Sequence, residues 1–193
     1  MALTTKLDAV NIMISVIGES PVNTLGGTSA VPVTVVQAES VLNETSKAIQ
    51  SEGWHYNTEY DYPLVPDSGT SKITLPVNTL KVDLDPELNT DTDPVQRGLK
   101  LYDRKNHRET WTKTLKAIIT FELAYEELPE QFRHYISVKA ARIFAARFLG
   151  SREIEGFALR DEIEAKARAI ESDSENADRT IFDNYSVLRV LDR

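Results

Sequence analysis

The chain has 193 residues, of which 41% are hydrophobic and 27% are charged, a composition typical of a globular protein with one domain or a small domain carrying a large insertion. It contains no cysteine, which excludes disulfides and thiolate metal sites. Its formal net charge of −8 argues against nucleic-acid wrapping as a main role.

Neither a membrane span nor a signal peptide is predicted. No stretch approaches the roughly 20 apolar residues that a span needs. Residues 1–8 lack a basic region followed by an apolar core. We therefore expect a protein that is made and kept in a cytoplasm and is not inserted into a membrane.

Residues 1–53 predict the N-terminal helices of a bundle. Thr4 or Thr5 can cap a first helix, which the segment from Gly18 to Pro21 ends. Its predicted buried stripe is Leu7, Val10, Ile14 and Ile17. A second helix is predicted over 34–50, with Gly53 placed to end it. Its predicted inward positions are Val35, Ala38, Val41, Leu42 and Ile49.

Residues 54–125 predict an inserted antiparallel β-domain. This region holds both tryptophans and five of the seven tyrosines. Four short runs have the composition of strands, at 72–75, 80–84, 99–102 and 117–123. Turn-forming clusters at 66–69 and 89–94 separate them.

Residues 126–180 predict two long antiparallel helices. Pro129 suits the start of the first, and Gly150 can end it in a left-handed cap. Its apolar positions recur at helical spacing: Phe132, Ile136, Ala140, Ile143, Phe144 and Phe148. No acid lies between Gln131 and Arg152, whereas five residues are basic: Arg133, Lys139, Arg142, Arg147 and Arg152.

The second of these helices, predicted over about 151–171, is acidic. Nine acids lie between Glu153 and Asp178, against three basic residues. It has an apolar stripe of Leu159, Ile163, Ala167 and Ile170. The simplest interpretation is an αα-hairpin in which the two helices neutralise each other. Contact of either helix with another subunit stays open.

Residues 181–193 are apolar after a polar stretch. The segment is too short to build its own core, so it predicts a docking tail. Its large apolar residues include Phe182, Tyr185, Leu188 and Leu191. Deletion of 181–193 is predicted to abolish assembly but not folding.

Signals for chemistry are weak. His55, His107 and His134 each lack a second ligand at a metal-binding spacing. The acidic run from Asp83 to Asp93 lacks the glycine of an EF-hand loop. The chain has no nucleophile elbow and no phosphate-binding loop. We predict no catalytic residues, no metal and no cofactor.

Two alternatives stay open. Glu122, Glu126, Glu127 and Glu130 could supply the carboxylate pair of a glycan hydrolase. The basic stretch 97–116, with Tyr102 and Trp111, could serve a DNA-binding accessory protein. Its basic residues are Arg97, Lys100, Arg104, Lys105, Arg108, Lys113 and Lys116. The net charge favours a solvated sheet edge or a contact for an acidic partner.

Four segments together resemble one family. They are residues 7–25 (LDAVNIMISVIGESPVNTL), 49–57 (IQSEGWHYN), 101–104 (LYDR) and 128–156, which begins LPEQFR. In this order they resemble tail tubular protein A of short-tailed bacteriophages of the Autographiviridae type. Residues 63–95 and the C-terminal tail resemble that family least.

The resemblance implies a structural virion protein without cofactor or catalytic residues. It implies a helical bundle with an inserted β-domain, assembled as a dodecameric ring between the portal protein ring and the tail nozzle, tail tubular protein B. The expected location is the virion tail, after synthesis in the host bacterial cytoplasm. DNA would pass through the ring without specific binding, which the acidic charge favours.

For such a ring we predict interface residues on the basic helix and the tail, because a closed ring needs two unlike lateral surfaces. They are Arg133, Lys139, Arg142, Arg147, Arg152, Phe182, Tyr185, Leu188 and Leu191.

Overall fold

The computed structural model describes residues 3–26, 31–84, 91–149 and 152–177, and side chains throughout these ranges except at 149 and 152–158. The described chain is mixed α+β. Its helices are α1 (Lys6–Val16), α2 (Val33–Gln50), α3 (Glu130–Leu149) and α4 (Arg152–Asn176). Its strands are β1 (Thr58–Leu64), β2 (Thr79–Leu84), β3 (Pro94–Arg97), β4 (Lys100–Asp103) and β5 (Leu115–Phe121).

The chain divides into two compact units. Among the described residues, a helical unit takes 3–46 and 125–177, and a β unit takes 47–124. The predicted tail, residues 181–193, lies outside the described residues. None of the described helices is long and apolar enough to cross a lipid bilayer.

A capping box starts α1. The Thr5 hydroxyl accepts a hydrogen bond from the backbone N–H of Asp8 (3.1 Å), and the Asp8 carboxylate accepts one from the backbone N–H of Thr5 (3.0 Å). The Thr5 hydroxyl also donates to the Asp8 carboxylate (2.6 Å), and this bond, together with the one from the Thr5 backbone N–H, holds the pKa of Asp8 below its usual range. The helix buries Ala9, Val10, Met13 and Ile14, whereas the predicted stripe members Leu7 and Ile17 are only half-buried. α1 packs on α3.

The prediction for α2 is confirmed. Pro32 precedes the helix, and its carbonyl accepts hydrogen bonds from Val35 and Val36. All five predicted inward positions are buried. The N–H of Gly53 donates to the carbonyl of Gln50 (3.2 Å), and its φ of 81° is a conformation that glycine adopts without strain.

The described strands of the β unit form two antiparallel sheets. One has the order β1-β5-β2, with β5 in the centre, and the other pairs β3 with β4. Its core is Leu64, Ile73, Leu75, Val82, Leu84, Leu101, Trp111, Leu115, Ala117 and Ile119. The Trp111 indole N–H donates to the Leu101 carbonyl (3.2 Å), which satisfies its polar atom inside this core.

Three predicted strands are present as β2, β4 and β5, with small shifts at their ends. The predicted strand at 72–75 is wrong, because it forms only isolated bridges, from Lys72 to Thr110 and from Thr74 to Lys100. β1 and β3 were not predicted. β1 contains Pro63 and a bulge where Asp61 has a φ of 55°, and β3 begins at Pro94, so both lack a regular strand pattern.

α3 and α4 pack together as the predicted hairpin, and α4 continues to Asn176, beyond its predicted end. α3 buries a face of aromatic and small residues: Phe132, Tyr135, Ile136, Ala140 and Phe144. Of the other predicted apolar positions, Ile143 is half-buried and Phe148 is exposed.

Candidate interaction surface

The side chain of Arg133 lies in the interior of the helical unit. Its side chain is 4% exposed. Nε donates to the carbonyl of Leu128 (2.8 Å), Nη1 to that of Thr4 (2.9 Å) and Nη2 to that of Glu126. The guanidinium therefore joins the N-terminal segment to the start of α3 through three charge-assisted hydrogen bonds to backbone carbonyls.

Tyr125 supports the same region from the turn before α3. Its hydroxyl donates to the carbonyl of Arg133 (3.1 Å) and lies 2.8 Å from the hydroxyl of Ser137. Burial raises the pKa of Tyr125 to about 12, although the Ser137 hydrogen bond acts in the opposite direction. The phenol is therefore a neutral donor throughout the physiological range.

Arg142 links the two helices of the hairpin. Its Nε donates to the carboxylate of Glu162, and both side chains are largely buried. The pair is a direct case of the predicted neutralisation of the basic helix by the acidic one. Lys139 is half-buried, with Nζ 5.5 Å from the centroid of the Tyr135 ring.

Arg147 is the most solvent-exposed of the predicted interface cations whose side chains the structure describes. It lies 3.4 Å from the exposed carboxylate of Glu44 on α2, and Phe148 beside it is exposed as well. The side chain of Arg152 lies outside the described residues, as do the predicted tail residues Phe182, Tyr185, Leu188 and Leu191. Arg133 and Arg142 thus bond within the chain, whereas Arg147 lies at its surface.

In the part of α4 whose side chains the structure describes, small residues are buried and the large apolar residues lie in solvent. Ala165 and Ala169 are buried, whereas Leu159, Ile163 and Ile170 are 46%, 61% and 44% exposed. With the exposed Ala167 they form the stripe that the sequence predicts. We call these four residues the α4 stripe. Exposed apolar patches of this kind mark interaction sites.

Four apolar residues of α1 and α2 are exposed as well. They are Ile12, Val16, Val33 and Val36, which are 48%, 40%, 71% and 55% exposed. Their exposure was not predicted from the sequence. The signal was the unusually dense run of β-branched residues at 33–36, which places apolar groups on more than one side of the helix.

The four acids proposed for a glycan hydrolase are divided between the units, since Glu122 belongs to the β unit and the others to the helical unit. Glu122 pairs with Lys47 (3.4 Å), and the Glu130 carboxylate accepts hydrogen bonds from the Thr4 backbone N–H (2.9 Å) and hydroxyl. Among the described residues, no group of His, Asp and Glu is placed to hold a metal ion. Residues 85–90 of the acidic run lie outside this description.

The basic stretch of the β unit engages acids of the same unit. Its ion pairs include Arg104–Asp93 (2.7 Å), Arg108–Asp103 (3.6 Å) and Lys116–Asp61 (3.6 Å), and Glu109 within the stretch pairs with Lys72 (2.6 Å). The two aromatic rings proposed for base stacking are also occupied: Trp111 is buried, and the Arg97 guanidinium lies 3.5 Å from the Tyr102 ring centroid.

Asp103 organises the loop that carries these cations. Burial alone would raise its pKa, but hydrogen bonds from the Asn106 side chain (2.7 Å) and from the backbone N–H groups of Asp93 and Asn106 (both 3.2 Å) outweigh it. With Arg108 nearby, they hold the pKa of Asp103 below its usual range.

Comparison with known proteins decides the family. The profile of the family described as "Tail tubular protein" matches residues 7–179. The chain belongs to the tail tubular protein family. A tail tubular protein is a structural component of a bacteriophage tail and assembles with other components of that tail in the virion. No curated protein matches this tail tubular protein.

Proposed function

We propose that the chain is the adaptor ring that joins the portal to the tail nozzle and forms part of the DNA ejection channel. The family match over residues 7–179 carries this proposal. The exposed apolar residues of α1, α2 and α4 support it, because a ring subunit needs lateral surfaces that contact its neighbours. The ring is proposed to be dodecameric, as the sequence resemblance implies.

The proposed architecture is a helical bundle with an inserted β-domain. Residues 1–53 and 126–180 would form the bundle, residues 54–125 the insertion and residues 181–193 a docking tail. The division into a helical unit built from two distant segments and a β unit built from the middle of the chain supports this interpretation.

The proposed interface includes the exposed end of α3, with Arg147 and Phe148, together with Lys139, Arg152 and the tail. Arg133 and Arg142 would support it from inside, because their guanidinium groups bond within the chain. Passage of DNA without specific binding is consistent with the net charge of −8 and with the intramolecular ion pairs of the basic stretch.

The test mixes the purified chain with its cognate portal ring. Complex mass and negative-stain electron microscopy would be measured, and a second ring stacked on the portal with one copy per portal subunit is expected. A chain that stays monomeric beside an intact portal would refute the adaptor role. Deletion of residues 181–193 should abolish this assembly while leaving the far-ultraviolet circular dichroism of the chain unchanged.

A further inference from the structure

The β unit carries three cations, from three backbone segments, on one side of its smaller sheet. They are Lys72, Arg97 and Lys100, and we call them the cationic face. We propose that the cationic face contacts the phosphate backbone of double-stranded DNA. The inference rests on the proposed function for the presence of DNA, and it names the side chains that would touch that DNA.

The backbone places the three cations together. Arg97 of β3 is directly paired with Lys100 of β4, and the side chains of directly paired residues lie on the same face of a sheet. The segment that contains Lys72 lies along the other edge of β4, where the N–H of Leu101 donates to the carbonyl of Ile73 (3.2 Å). Side chains alternate between the two faces of such segments. Because Ile73 and Leu101 are buried in the core, Lys72 and Lys100 lie on the opposite, outward face.

One carboxylate faces these three cations. Nζ of Lys72 lies 2.6 Å from the carboxylate of Glu109. The hydrogen bond from Lys72 and its charge, with the nearby charges of Lys100 and Arg97, hold the pKa of Glu109 below its usual range. A single carboxylate cannot neutralise three cations. Among the described residues, the cationic face with Glu109 therefore keeps an excess of positive charge, which an anionic partner would complement.

The side chains around the cations favour phosphate as that anion. Contacts to phosphate oxygens come from Arg and Lys together with hydroxyl side chains. Thr74 is exposed and forms a bridge with Lys100. The Arg97 guanidinium lies over the Tyr102 ring, 3.5 Å from its centroid, so one flat side is held while the N–H donors at its edge stay available. Interfaces between proteins are depleted in lysine, whereas two of these three cations are lysines. The composition thus favours DNA over an acidic protein.

A contact of this kind is weak and independent of base sequence. Phosphate contacts carry no direct sequence information, and the electrostatic attraction lets a protein slide along DNA. Each phosphate that a cation neutralises adds about 0.9 to the slope with which log K falls against log[salt]. Three cations on one copy therefore give a slope of about −2.7 at most. Such a contact is compatible with DNA that passes through a channel.

The experiment measures binding of a short fluorescein-labelled DNA duplex to the full chain by fluorescence anisotropy, between about 20 and 150 mM NaCl. The parent should bind with a slope of about −2 to −3. A triple variant without the cationic face should bind at least about tenfold more weakly at the lowest salt, with a slope near zero. This variant is Lys72→Gln/Arg97→Gln/Lys100→Gln.

The matched control removes three charges from other exposed positions of the β unit: Lys81→Gln/Lys113→Gln/Lys116→Gln. It should keep the slope of the parent. Equal losses in the two triple variants would overturn the proposal, because net charge alone would then decide binding. Circular dichroism would verify the fold of every variant.

Glu109→Gln gives a change in the opposite direction, which misfolding cannot produce. It removes the negative charge beside the cationic face and frees Lys72 from its ion pair. Binding of the duplex should strengthen by about two- to fivefold. A variant that binds no more tightly than the parent would contradict the contact.

Competition identifies the partner. Orthophosphate and a glutamate polymer would each be added at the ionic strength of the NaCl reference. Neither should displace the duplex more than NaCl does. Full displacement by orthophosphate would assign the cationic face to free phosphate, and full displacement by the polymer would assign it to an acidic protein, and either result would overturn the assignment to DNA.

Mixing with the portal ring separates this contact from the adaptor role. The triple variant of the cationic face should still form rings on the portal, and its failure to do so would place the face in a protein contact and overturn the proposal. A parent that forms rings but does not bind the duplex would leave the adaptor role standing alone. A parent that binds the duplex through this face but forms no ring would refute the adaptor role, while the contact with DNA would stand.

Discussion

Replacement of Arg133 by methionine is expected to destabilise the helical unit by about 3–5 kcal/mol. Three backbone carbonyls lose a charged donor in this variant. Each such hydrogen bond contributes roughly 1.5–3 kcal/mol net, which gives about 5–9 kcal/mol for three. Relief from burying a guanidinium offsets several kcal/mol of that loss, and methionine retains much of the packing.

The matched control is Arg147→Met, on the same helix. Arg147 is exposed and pairs with Glu44 at 3.4 Å, so its loss should cost less than about 0.5 kcal/mol. Urea unfolding would be followed by circular dichroism at 222 nm, which reports mainly on the helices. Tryptophan fluorescence follows the β unit separately, since Trp54 and Trp111 both lie there. Equal stabilities for the two variants, within about 0.5 kcal/mol, would refute the assignment of Arg133 as a buried structural cation.

Three further outcomes are expected. Asp103→Asn should lower the free energy of unfolding of the β unit by about 2 kcal/mol at pH 7. Because the pKa of Asp103 is lowered in the folded state, its carboxylate stabilises the fold above the unfolded pKa of about 3.9, and this stabilisation is lost as the pH falls below that value. The urea unfolding curves of variant and parent should therefore converge in acid. Tyr125 has a pKa of about 12 in the folded state against roughly 10 in the unfolded state. The helical unit of the parent should therefore lose stability as the pH rises through that interval. In alkaline titrations followed by circular dichroism, Tyr125→Phe should lack this pH-dependent loss of stability. A double-mutant cycle with Arg142→Met and Glu162→Gln should give a coupling free energy of about 1–2 kcal/mol, and additive effects would contradict the contact between α3 and α4.

The sequence predicted those features that depend on local pattern. The inward stripe of α2 follows from helical spacing, and β5 follows from its continuous run of β-type residues. Local pattern did not predict β1, because its irregular sequence becomes a strand only by pairing with β5, far along the chain. Tertiary pairing overrides local propensity there.

The same limit applies to the candidate surfaces, because local pattern does not predict which residues tertiary contacts bury. Arg133 and Arg147 are fourteen residues apart and lie within about 40° of each other around α3, so helical periodicity cannot distinguish them. Arg133 is buried because its guanidinium lies against the N-terminal segment and the turn before α3, where it bonds the carbonyls of Thr4, Glu126 and Leu128. On α4, helical spacing predicted an apolar stripe that includes Leu159 and Ile163, but both are exposed, whereas Ala165 and Ala169 are buried.

The contact between Thr4 and α3 has a consequence for synthesis. The Thr4 N–H bonds the carboxylate of Glu130, so residues 126 positions apart must meet before the helical unit is complete. At bacterial elongation rates, the residues of the β unit take roughly 4–16 s to emerge in between. The β unit can therefore finish folding on the ribosome while α1 and α2 still wait for their partner helix. A nascent chain can therefore complete its helical unit only after α3 has been made, whatever the β unit has already folded.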